Sequence, residues 1–345
     1  MAYIKMDKYD YYAYIGVHDN KDYDYFTLLV DTNVAINLER FYYTPRKLHV
    51  NKLSATIDFL LDNIDKDTVF GFALQEACWD YSLKSLNEGQ YDKMQTALTT
   101  QYDWDIKFIK SHSSTNGISS DKEVVRTPSP DINSLIDQFS SNPTMIISYA
   151  CVLKIMILEK KYPRKSKKAI EDFIDFIDNI LYYNPALEVQ VAIYYFLGKD
   201  DSYTLGNALF KFDKRKSNVL LKAWNTCWDL FYLRLLQRSY YLPEESNSFS
   251  PKLVTSDYGL ITLASLCSLE ATINIGNNEI LPIISFKTSD ILPEFSTYVD
   301  EVQERLYFGC LDRDSKRNKT ILRTEYLLNL ISELEKEIIT LSQLD

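Results

Sequence analysis

Acidic side chains follow two segments whose composition predicts buried β-strands. Asp31 comes directly after the apolar residues 25–30, and Asp257 comes shortly after residues 252–255. The continuous apolar run of residues 25–30 is typical of a strand buried on both faces of a parallel sheet, and strand character resumes at residues 252–255. In open parallel sheets, ligands bind just beyond the carboxyl ends of the strands. Carboxylates that meet there suit Mg²⁺ or Mn²⁺, and such an ion suits phosphodiester hydrolysis.

A glutamate is expected to complete the acidic group, and two candidates exist. Glu76 follows the second predicted strand, residues 68–73, within a helix predicted over residues 74–86. Glu188 also begins an apolar helix, but it follows a long helical stretch rather than a strand. We favour Glu76, because a helix that directly follows a strand starts at the sheet edge. Glu188 stays open as the alternative.

Each acid also has an ordinary structural interpretation. Asp31 could belong to a turn after a strand, and Asp257 could cap the helix predicted at residues 261–269. Asp229 is predicted to open an apolar helix, where an acid often serves only as a cap. The order of these acids on successive elements, rather than any one of them, indicates a shared site.

The pattern of elements predicts an α/β fold, a parallel sheet flanked by helices with a large helical insertion. A helix is expected over residues 50–63, between the first two strands. Residues 111–131 are rich in Ser, Thr, Pro and Gly and predict a mobile loop, and helical spacing follows over residues 132–238. We therefore divide the chain into a first half of the core (1–110), the loop and insertion (111–217), and a second half of the core with a C-terminal helix (218–345).

The acidic motifs resemble those of the PIN-domain family of nucleases. Asp31-Thr32-Asn33 is similar to the family's triplet after strand one, and Thr255-Ser256-Asp257 is similar to its Thr-x-Asp motif. Between them, Glu76 and Asp229 are similar to its second and third acids. The resemblance covers roughly residues 24–90 and 218–290, and the helical stretch between them is longer than in small members.

The resemblance implies a three-layer PIN-like core and a metal-dependent endoribonuclease, of the toxin, phage-defence or RNA-processing kind. The carboxylates of Asp31, Glu76, Asp229 and Asp257 would bind Mg²⁺ or Mn²⁺, Asn33 would position Asp31 or a water, and RNA would be the substrate. The alternative is a catalytically silent PIN-like module that binds a partner. Clustering of the acids would favour the nuclease.

Composition limits the partners and the location. The net charge of −10 disfavours polyanion binding over the whole surface, although basic runs occur at residues 160–168, 214–216 and 313–319. Most of the 5 cysteines are expected to be buried core residues, without a zinc-binding pattern, which favours a cytoplasmic protein. No apolar run is long enough for a membrane span. The insertion or the C-terminal helix, whose apolar stripe runs along residues 324–341, could bind a second copy or another protein.

Overall fold

The chain forms two compact units. The structure, a computed structural model, describes residues 3–16, 26–80, 85–119, 143–199, 210, 218–239, 251–266, 269–274, 280–284, 288–319 and 324–343. The first unit comprises residues 1–137 and 235–261, and the second comprises residues 138–234 and 262–345. The second half of the core was predicted to begin at residue 218, whereas the first unit resumes at Leu235. The residues from Thr262 onward belong to the second unit and not to the first.

The elements up to residue 119 alternate between short strands and helices. They are β1 (Tyr3–Met6), β2 (Ala13–Gly16), β3 (Thr27–Val30), α1 (Thr32–Tyr43), α2 (Val50–Asn63), β4 (Thr68–Val69), α3 (Gly71–Ala77), β5 (Trp79–Asp80), β6 (Ser85–Leu86), α4 (Glu88–Thr100) and α5 (Ile106–His112).

The later elements are mainly helical. They are α6 (Pro143–Lys161), α7 (Lys167–Phe176) with a π-helical turn (Ile177–Leu181), α8 (Ala186–Leu197), α9 (Val219–Ser239), β7 (Pro251–Thr255), α10 (Tyr258–Leu266), β8 (Leu269–Asn274), β9 (Ile280–Ile284), α11 (Ser296–Phe308), α12 (Cys310–Lys319) and α13 (Thr324–Ser342). Among the described residues, no helix has both the length and the apolar character that crossing a membrane requires.

The main sheet has five strands in the order β1-β2-β7-β3-β4. β3 runs parallel to both neighbours, with Val30 opposite Val254 on β7 and Leu29 opposite Val69 on β4. β2 pairs antiparallel with β7, and β1 antiparallel with β2. The α/β class is confirmed, but the expectation of a purely parallel sheet is wrong because the N-terminal hairpin adds two antiparallel strands. Their residues alternate over too few positions to mark strands in the sequence.

Helices α1 and α2 cover the sheet of the first unit. The carboxylate of Asp31 accepts from the backbone N–H of Thr32 and caps α1. Val34, Leu38 and Phe41 then recur at helical spacing and join the strands in one buried core. The helix predicted at Val50–Asn63 has those bounds in the structure. It lies in the crossover between the parallel strands β3 and β4, as a βαβ connection requires.

The helix predicted over residues 74–86 is wrong. Helix α3 already begins at Gly71 and ends at Ala77, and Trp79–Asp80 then pairs antiparallel with Ser85–Leu86. A new helix, α4, starts after Asn87, whose side-chain oxygen accepts from the backbone N–H of Gln90. The pairing of these two short strands therefore interrupts the helical pattern.

The C-terminal end of α1 is held by the start of the segment predicted as a mobile loop. The buried His112 donates through Nε2 to the carbonyls of Phe41 and Tyr42, at 3.0 Å each. Ile118 N donates to the Tyr42 carbonyl at 3.0 Å, and Gly117 adopts φ +90° against Tyr43. Residues 111 and 112 are thus the end of α5 rather than a loop, and hydrogen bonds tie the segment up to Ile118 to α1. Residues 120–131 lie outside the described part of the chain.

The second unit is mainly helical where it is described, as the pattern of residues 132–238 predicts; residues 132–142, 200–209 and 211–217 of that range lie outside the described part of the chain. From Pro143 to Leu181 the chain is helical except for a short connection, and none of the described strands lies there. The expected apolar stripe of α13 exists, and its buried part packs along α6, where Tyr149 donates to Glu335 at 3.2 Å. The stripe therefore packs within its own unit.

Candidate active site

The carboxyl ends of β3 and β7 lie side by side in the sheet. Backbone N–H of Asp31 donates to the carbonyl of Val254 at 3.0 Å, so the residue after β3 is still tied to the neighbouring strand. β4 joins the other side of β3, and the chain returns through β7 on this side. The order of the strands thus reverses between β3 and β7. Such a topological switch point is where open α/β sheets bind ligands.

The Asp31 carboxylate is buried and held by several donors. Only 2% of the residue is exposed. Its Oδ1 accepts from Thr32 N at 2.7 Å, and its Oδ2 accepts from the Thr255 hydroxyl at 2.7 Å and from Asn33 Nδ2 at 3.2 Å. Burial raises the pKa of Asp31 above its ordinary 3.8; the Thr255 hydroxyl opposes this rise, and the neighbouring Asp257 carboxylate adds to it.

Thr255 connects the two acidic strand ends. Its hydroxyl donates to Asp31 and accepts from the backbone N–H of Asp257 at 2.9 Å. Oδ1 of Asp257 accepts in turn from Gly259 N at 2.7 Å and from Leu260 N at 3.2 Å. Asp257 therefore caps α10, as its ordinary interpretation predicts, and also lies close enough to influence the Asp31 carboxylate.

Glu76 is linked to the same edge through Thr32. The Thr32 hydroxyl donates to Oε2 of Glu76 at 2.6 Å, and Thr32 directly follows Asp31. Glu76 follows the second parallel strand, as expected, but it lies in the last turn of α3 rather than at its start. The structure thus brings Asp31, Asn33, Glu76 and Asp257 into one hydrogen-bonded neighbourhood of the first unit.

Asp229 belongs to the second unit and does not begin a helix. Helix α9 already starts at Val219, so Asp229 lies well inside it, with 7% of the residue exposed. The expectation that it opens an apolar helix is therefore wrong. The reason is that helical spacing continues through residues 219–237, and spacing alone does not mark a helix start.

Glu188 lies in the second unit and has a strong cationic partner there. It is fully buried in the first turn of α8, as its helix-start position predicts. Nη2 of Arg234 donates to its two carboxylate oxygens at 2.6 and 2.7 Å, and the Ser148 hydroxyl donates to Oε1 at 2.5 Å. An ion pair of this kind neutralises the carboxylate within the helical unit.

Several cations of the basic runs have acidic partners. Lys161 pairs with Glu337, and Lys168 pairs with Asp172 at 2.9 Å. The most buried is Arg313, 1% exposed, which pairs with Asp178 at 2.6 Å. These contacts favour a structural role for the cations involved. The run at residues 214–216 lies outside the described residues.

Residues that the sequence does not single out complete the site. The hydroxyls of Thr32 and Thr255 orient the carboxylates, and both belong to the motifs that carry the acids, so the motifs themselves were the available signal. Tyr258, which directly follows Asp257, is 69% exposed at the start of α10.

The carboxylate oxygens at this edge are of the type that binds a hard divalent cation. Within the described ranges, no group of three or more His, Cys, Asp and Glu side chains is placed to hold a metal ion. Mg²⁺ usually keeps several waters and is bound through only one or two carboxylates. Asp31 and Asp257 supply carboxylates of that kind, and the proximity of Asp257 makes ionisation of the buried Asp31 less favourable, a cost that a bound cation would relieve.

Comparison with known proteins gives no relative for this chain. No protein-family model matches it, and no curated protein or solved structure matches it with significance.

Proposed function

We propose that the chain is a divalent-metal-dependent ribonuclease, with a PIN-like first unit whose active site lies at the carboxyl ends of β3 and β7. One observation carries the proposal. The Thr255 hydroxyl donates to the Asp31 carboxylate and accepts from the Asp257 backbone, and so joins the acidic ends of two adjacent parallel strands. Carboxylates held by hydrogen bonds in this way are preorganised for a ligand.

Each residue of the site has a distinct part in the proposal. Asp31 is the central ligand, because a buried carboxylate gains most from a nearby cation. Asp257 is the second ligand, and Glu76, held at the same edge by Thr32, would contact the ion through one of its waters. Asn33 orients Asp31 through its 3.2 Å hydrogen bond. Mg²⁺ or Mn²⁺, when bound, supplies a more acidic water and positive charge for the phosphoryl oxygens.

Metal-dependent cleavage of RNA tests the proposal directly. End-labelled RNA is incubated with the wild type in Mg²⁺, in Mn²⁺ or in EDTA, and binding of Mn²⁺ is measured by calorimetry. We expect cleavage only with metal. Asp31→Asn should lower both the cleavage rate and the Mn²⁺ affinity. The loss should exceed the about 10- to 100-fold that is usual for changes outside the ligand shell.

Asp105→Asn is the matched control. Asp105 also caps a helix, accepting from Phe108 N at 2.7 Å, but it is exposed and precedes α5 rather than following a strand. The Asp105→Asn protein should therefore cleave RNA and bind Mn²⁺ as the wild type does. Asp229→Asn tests whether Asp229 contributes, as the family resemblance implies. A wild type that neither binds Mn²⁺ nor cleaves RNA contradicts the proposal and supports the non-catalytic binding module.

A further inference from the structure

A tyrosine is exposed at the rim of the acidic site. Tyr258 is the most exposed aromatic side chain among the described residues of the first unit, at 69%, against 42% for Phe108 and 36% for Tyr3. Tyr258 directly follows Asp257 in the sequence. Its side chain is exposed, whereas that of Asp31 is buried. Tyr258 therefore has a solvent-exposed ring and is next in the chain to a carboxylate of the site.

The backbone on both sides of Tyr258 is fixed. Thr255 is buried at the end of β7, and its hydroxyl accepts from Asp257 N. On the other side, Gly259 N and Leu260 N donate to the Asp257 carboxylate, and the Leu260 side chain is fully buried. A tyrosine on a fixed backbone presents a large ring with few rotatable bonds, so it loses little entropy when it binds a ligand.

We propose that Tyr258 binds a nucleobase by stacking, next to the phosphodiester that Asp31 and Asp257 receive. The inference rests on the proposed ribonuclease function and adds to it a residue that contacts the substrate. An acidic site on a chain of net charge −10 gains little from general attraction to phosphate. A π-face offers an uncharged contact instead, and any base that is not stacked on its neighbours can use it.

The first test measures stacking without cleavage. A short single-stranded RNA containing 2-aminopurine, whose fluorescence falls when the base stacks, is titrated in EDTA with the wild type, Tyr258→Phe, Tyr258→Ala and Tyr3→Ala. We expect quenching by the wild type and by Tyr258→Phe, which keeps the ring. Tyr258→Ala should bind about tenfold or more weakly, a loss within the range of base–aromatic stacking.

Tyr3→Ala is the matched control. Tyr3 is an exposed tyrosine of the same unit, and it pairs with Gly16, at the opposite end of β2 from the Ala13 that faces Thr255. This variant should quench as the wild type does. Circular dichroism melts check that the variants are folded, which is expected because the Tyr258 ring is mostly exposed.

The second test separates this inference from the ribonuclease proposal. With Mg²⁺ or Mn²⁺, Tyr258→Ala should raise KM about tenfold and leave kcat nearly unchanged, because a stacking contact binds substrate and transition state alike. Equal quenching by Tyr258→Ala and the wild type, or no quenching by the wild type, overturns the inference. A wild type that quenches but does not cleave overturns the ribonuclease and supports the stacking site.

Discussion

The hydroxyl of Thr32 donates a 2.6 Å hydrogen bond to Oε2 of Glu76, across 44 residues of sequence. Thr32 is the first residue of α1, and Glu76 lies in the last turn of α3. The bond therefore holds the Glu76 carboxylate beside the residue that follows Asp31. Glutamate has several rotamers of similar energy, so a bond that selects one of them prepares the carboxylate for a ligand.

Thr32→Val should weaken metal binding, because it removes the hydroxyl and keeps the shape of the side chain. The expected loss in Mn²⁺ affinity is about 10- to 100-fold, as for other residues that orient metal ligands. Thr32→Ser keeps the hydroxyl and should bind Mn²⁺ with nearly the affinity of the wild type. Calorimetric titration measures both variants, and a Thr32→Val protein that binds Mn²⁺ as the wild type does would show that the bond only joins two helices.

The stability of the metal-free protein should depend on pH through Asp31. Because its pKa is raised in the folded state, its contribution to stability is fully present below pH 3.8 and is lost as the pH rises through the raised pKa. The side chain that Asp31→Asn introduces does not titrate. The hydrogen bonds that the variant loses lower its free energy of unfolding by an amount that is the same at every pH. The free energy of unfolding of the wild type minus that of the variant should therefore fall with rising pH in urea melts with EDTA. A difference that grows with pH would contradict this.

Glu76→Gln and Glu188→Gln should affect different properties. Glu76→Gln should abolish metal-dependent cleavage and leave folding intact, since it removes a carboxylate from an acidic group. Glu188→Gln should lower the free energy of unfolding by about 3 kcal/mol, near the lower end of the usual cost of breaking a buried pair, since 26% of the Arg234 side chain is exposed. Urea melts and cleavage assays on both variants measure this. Full activity in Glu76→Gln with loss in Glu188→Gln would reverse the assignment.

A double variant checks the cause of the Glu188 effect. Replacing both Glu188 and Arg234 by Met removes the two charges together and should recover most of the lost stability, because no uncompensated charge stays buried. If the double variant is less stable than Glu188→Gln alone, packing rather than charge explains the loss.

Gly117→Ala should destabilise the first unit. Gly117 has φ +90°, and an added Cβ would lie 2.0 Å from the carbonyl oxygen of Tyr43. Backbone strain of this kind costs about 1 to 3 kcal/mol, and the close contact adds to it. Gly71→Ala is the control, because the added Cβ meets nothing within 4 Å. Thermal melts should show a lower Tm for Gly117→Ala alone, and equal melting of the two variants would contradict the tie between residues 112–118 and α1.

Local patterns predicted the parts of the fold that depend on local spacing. The apolar residues of α2 recur over whole turns, so its bounds at Val50–Asn63 could be predicted. The end of β3 could be predicted because an apolar run stops there, and the end of β7 because residues of strand character stop there; this placed Asp31 and Asp257 at strand ends. The link between Thr32 and Glu76 could not be predicted, since nothing in local spacing relates residues so far apart.

Two local patterns failed, and for different reasons. The pairing of Trp79 with Leu86 ends the helical pattern that begins in α3. Asn87, followed three residues later by Gln90, was a signal for the start of a new helix. Asp229 was misplaced for the opposite reason, because α9 continues through the point where a start was expected.

The central position of β7 has a consequence for synthesis of the protein. β7 separates β2 from β3 in the sheet, yet it is made from residues 251–255 of a 345-residue chain. The growing chain therefore holds an N-terminal hairpin and β3 with no strand to join them until that segment leaves the ribosome. Sheets that depend on such distant pairing form late and slowly. Asp31 and Asp257 thus meet only after residues 251–255 have been translated, so under the proposed function a nascent chain lacks an assembled active site until then.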